Sequence, residues 1–338
     1  MTVTGFDVVR RERVAEGKAF ADIGPYEELA GIVRIAIDPR HPANATITDL
    51  LLAPTARDGL IHCDADLVLA RPCDPAARGR LLVDIPNRGR PSATRWLNDA
   101  KGFPAPSVSD VGSGFLMRQG FTIARGGWQF DVPVEPGRMR LRGPAAARDG
   151  RPITGLTLCQ FQLEAPANGL SLSDRDHGPY PAADPYEPGA LLTVRPYSSA
   201  EPSGISRASW RFARSDDGVS VADAAHVWLE GGFQPGLLYE LTYTATGASI
   251  VGLGLLAIRD IVTWLLRGTA AQGNLCAGEL RYGLAYGESQ TGRLLREMLY
   301  YGLNQGEDGE QRSRACSSTS PGHAVASSTC DSVNPRRR

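Results

Sequence analysis

Leu280-Arg-Tyr-Gly-Leu-Ala-Tyr runs straight into Gly287-Glu288-Ser289-Gln290-Thr291-Gly292 and then into the helical stretch Arg293–Tyr301. A short apolar strand, a serine with glycine two residues before it, and a helix make the context of a nucleophile elbow. The order has a physical reason. A tight strand-to-helix turn lifts the serine hydroxyl into the open, and small flanking residues let strand and helix cross closely. The helix N-terminus then offers backbone N–H groups and positive dipole to a developing oxyanion. Ser289 is therefore the candidate nucleophile, with Gly287, Thr291 and Gly292 shaping the turn. Thr291 stands where the strict pattern has glycine. The plainer alternative is a helix N-cap serine, a common structural use.

Such a site needs two further components. One oxyanion donor would be the N–H of Gln290, and the other would come from a loop after an earlier strand. Asn87-Arg88-Gly89, following Leu81-Leu-Val-Asp-Ile-Pro, is the best loop, with Arg88 and Gly89 as donors; an ordinary turn is the alternative. Serine also needs a histidine to take its proton and a carboxylate to orient that histidine. The histidines are 41, 62, 177, 226 and 323, and only His323 follows Ser289. It lies in a Ser-rich stretch with no strand or helix period, a poor place for a base that must hold a fixed position.

Other candidates carry less. Asp174-Arg-Asp-His177 sits in a Pro/Gly-rich loop and reads as solvated, so no metal is expected. His62 and His226 read as structural. Glu288 reads as a hydrogen-bonding residue, because a side chain next to the nucleophile points away from it. Gly252-Leu-Gly254 lacks the third glycine and the acidic partner of a dinucleotide site, and no cofactor is expected. Trp128 and Trp210 could line an acyl pocket or simply fill a core.

The elements that would position Ser289 follow from texture. Residues 1–78 read as β-rich, with strands at Gly31–Ile37 and Leu60–Leu69. Residues 79–130 alternate strand, helix and strand, the mark of a parallel α/β unit. Residues 131–245 are rich in Pro, Gly, Ser and Asp and hold short apolar runs at Thr154–Phe161, Leu191–Val194 and Leu237–Tyr243, a β-rich insertion. Residues 246–308 return to the core, with a buried helix over Gly252–Leu266 that Arg259-Asp260 disqualifies as a membrane span. Residues 309–338 read as a disordered tail.

Composition narrows the function. The chain has 338 residues, 42% of them hydrophobic, enough for a full core, and a formal charge of −1 that offers no field for nucleic acid or an anionic membrane. The start of the chain has no apolar stretch for a signal peptide, and the six cysteines are scattered. A cytoplasmic protein is expected.

Six stretches, in order, resemble the bacterial alpha/beta hydrolase domain family. They are Gly24-Pro-Tyr-Glu, Leu82-Val-Asp-Ile-Pro-Asn-Arg-Gly, Gly114-Phe-Leu-Met-Arg-Gln-Gly-Phe-Thr-Ile-Ala-Arg-Gly-Gly-Trp-Gln-Phe-Asp, Tyr239-Glu-Leu-Thr-Tyr, Gly252-Leu-Gly-Leu-Leu-Ala-Ile-Arg-Asp and Tyr286-Gly-Glu-Ser-Gln-Thr-Gly-Arg-Leu-Leu-Arg. The resemblance implies an α/β fold: an alpha/beta-hydrolase-like, mainly parallel sheet, incomplete at its C-terminal end. It implies a serine hydrolase acting on an ester or related acyl bond of a small molecule. In that family's elbow a small Ser stands where this chain has Thr291.

The resemblance also bears on the tail. Of 36 basic residues only Lys18 and Lys101 are lysine, leaving 34 arginines, a sign of GC-rich codons. A one-nucleotide shift from Ala315 onward then admits an apolar strand and a loop like the family's continuation. The expectation is a frameshifted product that lacks the later strands, the acid and the histidine. It would have an exposed elbow strand and poor solubility, and an intact reading frame upstream of Ala315 would refute it. The rival function is an inactive remnant or a small-molecule-binding protein.

Overall fold

The computed structural model describes residues 2–101, 110–173 and 177–311, together with the backbone of 313–319. Contacts divide the chain into two compact units, Met1–Pro144 with Ile250–Arg338, and Ala145–Ser249.

The first unit is built on one mixed sheet. Its strands are β1 (Val3–Arg13), β2 (Tyr26–Ile37), β3 (Ile61–Pro72), β4 (Arg80–Asp84), β5 (Phe121–Gly126) and the short β6 (Leu141–Arg142). The second unit contributes β7 (Ala147–Arg148), β8 (Arg151–Pro152), β9 (Thr154–Gln162), β10 (Ala167–Ser171), β11 (Leu191–Arg195), β12 (Ser203–Ile205), β13 (Trp210–Asp216), β14 (Val219–Phe233) and β15 (Leu238–Thr246). The chain then re-enters the first unit with β16 (Tyr282–Glu288) and β17 (Ser313–Thr319). The mixed sheet has the order β1-β2-β3-β5-β4-β16-β17, with β6 beside β3. Pairing is antiparallel from β1 to β5 and parallel from β5 through β4 and β16 to β17.

Among the described residues four α-helices lie in this unit: α1 (Ala93–Leu97), α2 (Phe115–Arg118), α3 (Leu253–Arg267) and α4 (Gln290–Tyr300). On α4, buried Thr291, Leu294, Leu295 and Met298 recur at the spacing of one helix face, while Arg293, Arg296 and Glu297 are exposed. The α3 helix is buried nearly all round. It can bury Arg259 and Asp260 because they satisfy each other at 2.7 Å, and Arg259 also donates to Asn44 Oδ1.

The second unit is a sandwich of two antiparallel sheets, β10-β14-β13 and β12-β11-β15-β9, and also holds the β7-β8 hairpin. Its core is aromatic and aliphatic: Phe161, Leu192, Trp210, Phe212, Val227, Phe233, Tyr239, Leu241 and Tyr243.

The expected mainly parallel, alpha/beta-hydrolase-like sheet is not what the chain forms. Strand accounts for 40% of it and helix for 19%, so the fold is mostly β. Among the described residues parallel pairing is confined to four strands, because the N-terminal strands fold back on one another as hairpins and the insertion is antiparallel throughout. The elbow strand is not at an edge either: β16 has β4 on one side and β17 on the other. Part of the stretch read as a disordered tail, 313–319, is thus a strand. Residues 320–338, His323 among them, lie outside the described residues, as do Asp174 and Asp176.

Candidate functional site

The parallel strands β5, β4 and β16 end at the same edge of the sheet, and the loops that leave them meet there. Ends of parallel strands are where backbone is free to turn and where helix N-termini collect. Ser289 is the first residue past β16 and precedes α4.

Its backbone separates the two readings of the sequence. An N-cap serine sits in the extended region and bonds a first-turn N–H through its side chain. Ser289 has φ 55 and ψ −112 and makes no side-chain capping bond. A non-glycine residue held there costs on the order of 1–3 kcal/mol, a cost found mostly at functional turns. The turn is closed by its neighbour instead. The Thr291 hydroxyl accepts from the Glu288 N–H at 2.8 Å and donates to the Glu288 carbonyl at 3.0 Å. Gly287 is required by contact: a Cβ there would lie 2.7 Å from the Thr291 carbonyl carbon and 3.0 Å from the Gly292 nitrogen.

The first α-helical bond of α4 runs from the Arg293 N–H to the Ser289 carbonyl. The N–H groups of Gln290, Thr291 and Gly292 precede it, so they are the open donors of the helix N-terminus. The Gln290 side chain adds a second locally costly feature, since its Oε1 is buried and unbonded among the described residues.

The loop after β4 lies against this turn. Arg88 and Gly89 both have positive φ, and Asn87 and Arg90 exchange backbone bonds, closing a tight two-residue turn. The Asn87 side chain donates to the Glu288 carbonyl at 3.2 Å and ties the loop to the elbow. Here the Arg88 N–H is engaged by Gln129 Oε1 at 2.8 Å, and the Gly89 carbonyl accepts the Met139 N–H. Trp128, read beforehand as pocket or core, donates its indole N–H to the Pro86 carbonyl at 2.7 Å and pins the same loop. Trp210 is in the sandwich core.

Three groups escaped sequence reasoning. Trp96 on α1 is half-exposed and donates its indole N–H to Glu288 Oε2 at 2.7 Å, giving Glu288 its partner. Gln129 orients Arg88. Asp84, the last residue of β4, accepts the N–H groups of Ser92 and Ala93 at the start of α1, with Arg125 of β5 at 3.6 Å. Burial pushes the Asp84 carboxyl upward, against the pull of Arg125 and the two amides. Its signal in the sequence was an acidic residue inside an apolar strand.

Of the four described histidines, His177 belongs to the second unit and the other three bond to groups other than Ser289. His41 Nδ1 accepts the Ala43 N–H, His62 pairs with Asp58 at 2.8 Å, and His226 Nδ1 lies 3.2 Å from Asp223. Among the described residues, no group of three or more His, Cys, Asp or Glu is placed to hold a metal ion, and no helix is long and apolar enough to cross a membrane.

No family model, curated protein or solved structure matches the chain. With no such match, and with a mostly β architecture in place of a helix-rich hydrolase domain, the resemblance to the alpha/beta hydrolase domain family does not stand.

Proposed function

We propose that Ser289 is a reactive serine and that the chain acts on an ester or related acyl bond of a small molecule. One observation carries this reading: Ser289 is held at φ 55, ψ −112 at the head of α4 without serving as its cap. Oγ would attack the acyl carbonyl while the Gln290 N–H and the α4 dipole receive the oxyanion. The acyl group would pass to Ser289 with loss of the alcohol, and water would release it as the acid. The proton of Oγ must go to a base, and none of the contacts made by His41, His62 and His226 reaches Ser289.

That last observation favours a second reading, a pocket that binds an acyl compound without turning it over. Cys63, Cys73, Cys159 and Cys276 form no disulfide among the described residues, which supports a reducing compartment such as the cytoplasm for either.

A fluorophosphonate probe separates the two. Covalent labelling of the folded chain that disappears in Ser289→Ala and on heat denaturation is the expected result. A folded chain that stays unlabelled would remove the first reading and leave the second.

A further inference from the structure

The sheets of this protein end in strands of two kinds. β1 carries Asp7, Arg10, Arg11, Glu12 and Arg13, and β13 carries Arg211, Arg214 and Asp216. β12 has three residues and β10 five. Charge and shortness are the devices by which sheet edges avoid unwanted pairing. β9 has neither. Its nine residues, Thr-Gly-Leu-Thr-Leu-Cys-Gln-Phe-Gln, hold no charge and no proline, and they form the end of the sheet β12-β11-β15-β9. Among the described residues, the side of β9 away from β15 pairs with no strand.

The outward side chains agree with an unfilled edge. Phe161 turns into the sandwich core, whereas Leu156 and Leu158 are 78% and 55% exposed. Leu158 stands opposite Thr242, which in turn stands opposite Leu191, itself 52% exposed. Leu191 and Leu158 therefore flank Thr242 in a row that ends at the open edge.

We propose that β9 pairs antiparallel with β9 of a second copy of this chain, joining two four-stranded sheets into one of eight. Another strand would replace water on the open N–H and C=O groups of this edge, and β9 is its own complement. Antiparallel pairing about a two-fold axis at Leu158 sets Leu158 against Leu158, Leu156 against Gln160 and Thr154 against Gln162. No like charges meet, and the leucines of both copies form one patch. A foreign peptide selected by charge would find nothing on β9 to read.

The test uses the full chain. Sedimentation of the wild type should show a reversible dimer. Leu158→Lys and Leu158→Glu, each at an exposed position, should raise the dimer dissociation constant at least tenfold, because each sets like charges across the axis. An equimolar mixture of the two variants should recover the dimer, which a misfolded chain could not do. Leu158→Cys should cross-link between copies on mild oxidation, and Leu156→Cys, opposite Gln160, should not. A wild type that stays monomeric at all concentrations, or a dimer indifferent to both charge variants, would overturn the proposal.

Discussion

The two units bury different things. Every buried charged or non-aromatic polar residue among those described belongs to the first unit: Glu27, Glu28, Arg71, Arg78, Asp84, Arg125, Gln129, Arg259, Asp260 and Thr291 are examples. The sandwich between Ala145 and Ser249 buries none. Of its three large polar-tipped core residues, Tyr243 donates to the Tyr180 carbonyl, Tyr239 accepts the Gln234 N–H, and the Trp210 indole N–H is buried with no hydrogen-bond partner among the described residues. The sandwich is held by apolar burial, which is non-directional and forgiving of local change. The first unit spends its polar groups on fixing loops. Asp84 holds the start of α1, Gln129 holds Arg88, and Thr291 holds the turn under Ser289. Buried polar contacts add little net stability but fix geometry, and breaking one side of a pair is expensive. Such groups belong where position matters more than stability.

The largest expected effects test this contrast directly. Asp84→Ala should cost about 3–5 kcal/mol, because Arg125 is left buried beside the vacated site. Trp210→Ala should cost a similar amount, about 3–5 kcal/mol, through a cavity in the sandwich. They should differ in reversal. Adding Arg125→Leu to an Asp84→Leu background should recover much of the loss, whereas removing Arg207, the half-buried guanidinium that lies over the Trp210 ring at 4.0 Å, should recover nothing for Trp210→Ala, whose cost is a cavity. Hydrogen exchange read separately over the two units, together with denaturation, measures both. Equal recovery in the two cases, or none in the first, would erase the distinction.

Next in size is the crossing of β16 and α4. Gly287→Ala places a methyl against the backbone of Thr291, and neither backbone can yield, so a loss of about 1–3 kcal/mol is expected. Thr291→Val keeps the shape but takes the acceptor from the Glu288 N–H, for about 1–2 kcal/mol, while Thr291→Ser should retain most of it. If Val and Ser behave alike, the hydroxyl is not what closes the turn.

These positions also mark what was legible beforehand. The strand–Gly-x-Ser–helix turn could be read because each part has a local signal: apolar run, small residue, amphipathic period. The helix read over 252–266 is α3, and the apolar runs at 154–161, 191–194 and 237–243 fall in β9, β11 and β15. Pairing direction has no such local mark. The buried runs at β4 and β5 read as a parallel α/β unit and the residues before 79 as a separate β-rich region, yet the longer β1, β2 and β3 join the same sheet and pair antiparallel. β14, Val219–Phe233, was missed because Asp223, His226 and Glu230 interrupt its apolar alternation. β17 was missed because Ser-Arg-Ala-Cys-Ser-Ser-Thr has no pattern, and only the open side of β16 makes it a strand. Within the site, Trp96 and Gln129 were hidden for a related reason: their partners, Glu288 and Arg88, are distant in sequence.

The smallest expected effect is the most informative about Ser289. An N-cap serine replaced by alanine loses about 1 kcal/mol, and replaced by glycine only a few tenths. A serine held in a strained left-handed conformation behaves in the opposite sense. Glycine tolerates positive φ, so Ser289→Gly should stabilise the chain by about 1 kcal/mol, while Ser289→Ala, which keeps a Cβ, should change it little. Chemical denaturation of the three proteins gives the answer without any substrate. A gain on Ser289→Gly would mean that the turn keeps serine at the expense of stability, as a reacting group would require. A loss of about 1 kcal/mol in Ser289→Ala with none gained in Ser289→Gly would return Ser289 to an ordinary helix cap, and the acyl-transfer reading would lose the observation on which it rests.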